Sequence, residues 1–146
     1  MTELQFNEIK ERLAKWRKDR HLTYENQREE FLGNVFEKVS KYFRAKNDYE
    51  SMNVLCDIAV FFINSFRFEY ETTFSYENVS KDDFTRHLIY RLGDLIEKNK
   101  ELDLEFAENH LGFGFLVLIE NMVSELNFDF HKCILEALKE IESQKE

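Results

Sequence analysis

The sequence predicts an all-α fold, a bundle of five or six helices, and three observations carry that reading. The 146 residues include no proline and only four glycines, too few to supply the turns of a β-sandwich or barrel. Those glycines, Gly33, Gly93, Gly112 and Gly114, form neither G-x-x-x-x-G-K-[ST] nor G-x-G-x-x-G, which excludes the phosphate loops of P-loop and Rossmann proteins. Apolar residues recur at three- and four-residue spacing in one segment after another. At about 150 residues per domain, the whole chain, 1–146, reads as a single domain.

A first helix is expected from about Thr2, with Phe6, Ile9, Leu13 and Trp16 on its apolar face. Its opposite face is basic (Lys10, Arg12, Lys15, Arg17, Lys18 and Arg20), which reads either as a solvated face or as a patch for an anion. His21 to Asn26 reads as a connection. The second helix, about Gln27 to Ala45, carries Phe31, Leu32, Val35, Phe36, Val39, Tyr42 and Phe43 against Glu30, Asn34, Glu37, Lys38 and Lys41. After a short break at Asn47 and Asp48, the third helix, about Tyr49 to Phe66, is apolar nearly all round and so is buried on every side. Asn53, Asp57 and Asn64 form a polar stripe along it. A carboxylate in such surroundings needs a partner, and a lysine of the second helix is the structural candidate for Asp57.

Phe68 to Val79 reads as a loop. Ser80 and Asp83 make a capping-box-like start for a fourth helix with Phe84, Leu88, Leu92 and Leu95 inward. A fifth helical region spans about Leu104 to Leu126, kinked or split at Gly112 and Gly114 and ended by Asn127. Asp129 caps a last helix with Ile134, Leu138 and Ile141 facing in.

Composition narrows the function classes. Twenty basic against 29 acidic residues give a net charge of -9, which argues against general nucleic-acid binding. No apolar run approaches the roughly 18 residues of a membrane span, and the first residues lack the apolar core of a signal peptide. Two cysteines, Cys56 and Cys133, are too few for a disulfide framework or a zinc site, so a cytoplasmic location is expected. The four histidines are scattered and form no H-E-x-x-H. What remains for chemistry is polar groups projected from two adjacent helices, the way bundles build carboxylate metal sites.

Several stretches bear on this. Trp16, Asp19-Arg20-x-Leu22, Asn26-Gln27, Asn34, Glu37 and the run Leu55-Cys56-Asp57-Ile58 with Val60-Phe61 and Ile63-Asn64 resemble the MazG-like all-α nucleoside triphosphate pyrophosphohydrolases, above all the short phage-type members. Cys133 to Glu136 and Glu140 to Ser143 resemble the closing helix of that group. Together they cover under half of the chain, and residues 67–128 carry no resemblance. The resemblance implies an acidic cluster from two facing helices that holds Mg²⁺, with hydrolysis of a nucleoside triphosphate to the monophosphate and pyrophosphate. It implies nucleotide contacts at Trp16, Arg20, Gln27, Asn34 and Asn64, and a homodimer.

At the metal-ligand positions the chain departs from that pattern. The family's E-E-x-x-E group corresponds to Glu37-Lys38-Val39-Ser40-Lys41, and its D-x-x-x-D group to Asn53-Val54-Leu55-Cys56-Asp57. Only Glu37 and Asp57 remain as metal candidates, with Glu30 and Glu50 as possible substitutes, and Gln144 stands where the closing helix usually has arginine. Two readings follow. One is an active or vestigial dNTP pyrophosphohydrolase with Mg²⁺. The other, which the lysines favour, is a non-catalytic protein on the same fold, either a metal-free nucleotide binder or an acidic interaction or inhibitor module with a protein partner. In either reading Glu37 and Asp57 should face each other across the second and third helices, and in the second Lys38 and Lys41 are expected to neutralise them in an ion-pair cluster or, alternatively, to hold a phosphate directly. The phenylalanine load of helices three to five adds the expectation of a two-fold dimer.

Overall fold

A computed structural model of the protein describes residues 1–72, 86–90, 93 and 112–144. Five helices have defined bounds among them: α1 Glu3–Asp19, α2 Tyr24–Arg44, α3 Asp48–Ser65, α4 Gly112–Glu125 and α5 Phe130–Ser143. Residues 86–90 are also helical, and no residue described is in a strand. The expected loop from Phe68 to Val79 is described only to Thr72. Of the expected fourth-helix stripe only Leu88 is described, and it is buried; Phe84, Leu92 and Leu95 lie outside the described residues.

Side chains set the ends of these helices. Thr2 caps α1 in a reciprocal box with Gln5, and Thr23 caps α2 in the same way with Asn26. The second box starts α2 three residues earlier than apolar periodicity places it, because Tyr24, Glu25 and Asn26 form its first turn. Asn47 and Asp129 cap α3 and α5. Helices α1 and α4 end alike. After α1, His21 takes φ 56°, Leu22 N–H donates to the Arg17 carbonyl at 2.8 Å and His21 N–H to that of Lys18 at 3.2 Å. After α4, Asn127 takes φ 68°, with Phe128 bonded back to Val123 and Asn127 to Ser124. Both are Schellman closures, which leave the next residue as an apolar anchor.

Helix α3 is the axis of the bundle: α1, α2, α4 and α5 all pack on it. Its all-round apolar surface is what permits this, since eleven of its residues are buried, Asn64 and Ser65 among them. Phe62 sits at the centre, its ring 4.6 Å from Phe115, 5.0 Å from Phe68 and 5.2 Å from Phe66 between centroids. Helix α4 is apolar all round as well and buries every residue from Gly112 to Ile119. Its first residue, Gly112, has φ +39°, a conformation that a side chain would strain. The expected part of this helical region before the glycines, from Leu104 to residue 111, lies outside the described residues.

Candidate functional site

On α1 the buried stripe runs Phe6, Ile9, Leu13 and then Arg17. Trp16 is displaced to the edge, where its indole Nε1–H donates to the Ile141 carbonyl at 3.2 Å. Arg17 is only 7% exposed. Its guanidinium donates to Asn64 Oδ1 at 2.6 Å and lies 3.9 Å from the Tyr24 ring centroid. Because arginine only donates, the Asn64 oxygen must face it, and the Asn64 nitrogen then donates to Gln27 Oε1 at 3.2 Å. The relay fixes Gln27 with its own amide nitrogen left over.

That nitrogen belongs to a residue lining a cleft of about 410 Å³ between α1, α2, α3 and α5. Trp16 and Leu22, the anchor of the first Schellman closure, form one wall. Helix α2 contributes Asn26, Gln27, Glu30, Asn34 and Lys38, a stripe at helical spacing. Helix α3 contributes Asp57, Val60 and Phe61, and the C-terminal end of the chain supplies Ala137, Glu140, Ile141 and Gln144. The floor is thus part aromatic and aliphatic, part amide. Glu30, Asp57 and Glu140 bring three negative charges against the single cation of Lys38.

Lys38 Nζ donates to Asp57 Oδ2 at 2.9 Å across the α2–α3 contact, with the two side chains 22% and 30% exposed. This is the lysine–aspartate pairing expected of the buried stripe. The expected cluster of four charges does not form around it. Glu37 lies on the outer side of α2, 66% exposed, and pairs with Lys41 one turn along at 3.5 Å. Neither lines the cleft. Residue 38 points at α3, and residue 37, about 100° around the helix, points away from it. The expectation that Glu37 faces Asp57 is therefore corrected: Lys38 does. Asn53 is exposed and lines a shallower groove between α3 and α5 with Asp57 and Glu136.

The other nominated residues divide. Trp16, Gln27 and Asn34 line the cleft. Asn64 acts behind it, through Gln27. Arg20 does not line the cleft but braces its wall: its guanidinium lies 4.6 Å from the Trp16 ring centroid and donates to the carbonyl of Gln144 at 2.9 Å and of Trp16 at 3.3 Å, which satisfies the cationic preference of the α5 C-terminus. Of the substitute carboxylates, Glu30 reaches the cleft, whereas Glu50 accepts from the Lys46 N–H at the start of α3. Among the described residues no three His, Cys, Asp or Glu side chains are grouped to hold a metal ion.

The basic face of α1 is largely engaged within the chain. Lys10 donates to the Phe68 carbonyl at 3.0 Å, Lys15 pairs with Asp19, and Arg12 makes a bidentate contact with Glu142. The latter contact raises the Arg12 pKa and, first through its hydrogen bond, lowers that of Glu142. Burial pushes the Cys56 thiol up, with neighbouring Cys133 and Asp57 adding to the rise. It is a core residue and no nucleophile. No protein-family model matches the chain, and neither does a curated protein or a solved structure.

Proposed function

We propose that this protein is a non-hydrolytic relative of the MazG-like nucleotide pyrophosphohydrolases, in which a lysine–aspartate pair stands where Mg²⁺ would be held. The single observation that supports the reading is the 2.9 Å contact of Lys38 with Asp57. A dication about 4 Å from an ammonium is repelled by about 2 kcal/mol in bulk water and by about 8 kcal/mol at an effective dielectric of about 20. The partly exposed pair lies between those limits. Asp57 is also already satisfied, and Glu37, the other candidate ligand, is turned outward. With three carboxylates around one paired cation, the cleft has little attraction for a bare triphosphate.

Pyrophosphate release from a panel of dNTPs with Mg²⁺ tests this. The expected outcome is no release above the protein-free background, and turnover near about one per second, an ordinary enzyme rate, would overturn it. A second reading has its own support: Trp16 and Phe61 offer apolar faces, and Gln27 and Asn34 offer amide groups, between which a nucleotide could sit without metal. Thermal melts in EDTA with a millimolar dNTP mixture separate the two. Stabilisation that Lys38→Ala abolishes favours the second reading.

A further inference from the structure

We propose that Cys56 and Cys133 are a redox pair that closes into a disulfide between α3 and α5, beside the cleft, when the chain meets a low-molecular-weight disulfide such as oxidised glutathione. They are the two cysteines of the sequence, so no other pairing within the chain competes. Cys56 is buried on α3 and Cys133 is partly buried on α5. Both pack into the same apolar core.

Helix packing brings the two side chains together. Helices α3 and α5 run side by side in the same sense. At the start of α3 the Tyr49 ring lies 6.4 Å from that of Phe128, just before α5, and further along Asp57 shares a groove with Ala137 and Glu140. Tyr49, Asn53 and Cys56 fall at i, i+4 and i+7 on α3, and Cys133, Ala137 and Glu140 do so on α5, so each set forms one stripe. The stripes meet along the α3–α5 contact. Within it the Cys56 S–H donates a hydrogen bond to the Cys133 sulfur. Two cysteines joined in this way on packed helices meet the main demand of a disulfide, side chains that point at each other.

Burial raises both thiols above their ordinary range, so neither is a ready nucleophile in the resting chain, and the reaction is slow at neutral pH. On Cys133 the hydrogen bond from Cys56 works the other way, which makes Cys133 the thiol that ionises first. It is also the less buried of the two, and so the one that a reagent reaches. Its thiolate attacks one sulfur of glutathione disulfide, the S–S bond breaks, and the departing glutathione thiolate takes up the proton that Cys133 gave to solvent. Cys56, inert toward solvent, now lies against a sulfur that carries a leaving group. It attacks the Cys133 sulfur, the mixed disulfide breaks, and the second glutathione leaves with the Cys56 proton. Two protein thiols are oxidised and one glutathione disulfide is reduced to two thiols. The new bond fastens α5 to α3 one residue from Asp57 and one turn from Ala137. It therefore fixes two walls of the cleft, whatever the cleft holds.

The test incubates the folded, reduced chain with oxidised glutathione at mildly alkaline pH and reads its intact mass after an acid quench. The expected product is lighter by about 2 Da, carries no glutathione, has no titratable thiol and reverts with dithiothreitol. Because the bond closes a long loop, the oxidised chain should melt about 10 °C higher than the reduced one. Cys56→Ala should stop at the mixed disulfide, heavier by about 305 Da at Cys133, whereas Cys133→Ser should leave Cys56 unmodified in the folded chain. Far-UV circular dichroism verifies folding, and Cys133→Ser, at the less buried position, keeps the test if Cys56→Ala does not fold. The proposal is overturned by an unaltered chain that keeps both thiols, that stops at the glutathione adduct, or that crosslinks only between chains. An internal bond that forms only in urea, or one that lowers the Tm, overturns it as well, since the native packing then holds the two sulfurs apart.

Discussion

Replacing Lys38 with alanine removes one charge-assisted hydrogen bond and leaves Asp57 partly buried beside an apolar helix. A fully buried pair broken in this way would cost about 3–5 kcal/mol, but these side chains are 22% and 30% exposed, so water reaches the abandoned carboxylate. The expected loss is about 1–2 kcal/mol, read from chemical denaturation. Lys41→Ala, whose ammonium pairs with Glu37 on the outer surface, should cost under about 0.5 kcal/mol. Another residue-scale prediction concerns pH. The Arg12 guanidinium holds the Glu142 carboxyl below its ordinary 4.5. The folded state then binds fewer protons than the unfolded state just below that value, so this contribution is full above about pH 4.5 and is lost as pH falls through the depressed value. Glu142→Gln should destabilise at pH 7, by under about 1 kcal/mol given its exposure, and the difference should vanish once the pH is below that depressed value. The partner of Asp57 was legible in the sequence because the apolar stretch of α3 from Met52 to Ile63 forces the one carboxylate within it to find a cation nearby. Arg17 was not, although it continues the stripe Phe6, Ile9, Leu13. Charge alone assigns it to the solvated face, and only the Tyr24 ring and the Asn64 amide make its burial tolerable.

Helices α1, α3 and α5 begin within a residue of where sequence pattern places them, because Thr2, Asn47 and Asp129 cap them locally. Helix α2 begins earlier, since its first turn carries no core residue and periodicity is silent there. Its start rests on the Thr23–Asn26 box, in which Thr23 N–H donates to Asn26 Oδ1 at 2.9 Å and Asn26 N–H to Thr23 Oγ1 at 3.1 Å. Thr23→Ala should cost about 1 kcal/mol, a fall in Tm of about 3 °C in a melt monitored by circular dichroism. The effect also bears on the cleft, because Asn26 and Gln27 stand on that turn. The facing of Lys38 rather than Glu37 toward α3 is an element-scale result too. A motif alignment gives which residues correspond, and only the rotational phase of α2 decides which of two neighbours points inward.

Across the whole molecule the phenylalanines tell a different story from their number. The load across helices three to five carries the expectation of an intermolecular face; of its members, Phe62, Phe66, Phe113 and Phe115 are buried in the chain's own core, Phe62 against Phe66 and Phe115 and Phe113 against Phe6, while the phenylalanines between residues 73 and 111 lie outside the described residues. Among the described phenylalanines the exposed ones, Phe36 and Phe43, are on α2. Likewise the basic face of α1 serves to fasten α1 to α5 and to the chain after α3. Sequence cannot separate these uses, because a cation for a ligand and a cation for a helix end are the same residue. In the proposed reading Lys38 stands where a dication would be held, and calorimetric titration with Mg²⁺ tests this. The unaltered protein should show no binding up to about 10 mM, whereas Lys38→Glu, which sets a second carboxylate against Asp57, should bind at about 1 mM or better. Sub-millimolar Mg²⁺ binding by the unaltered protein, lost on Asp57→Asn, would show that Lys38 does not exclude the dication.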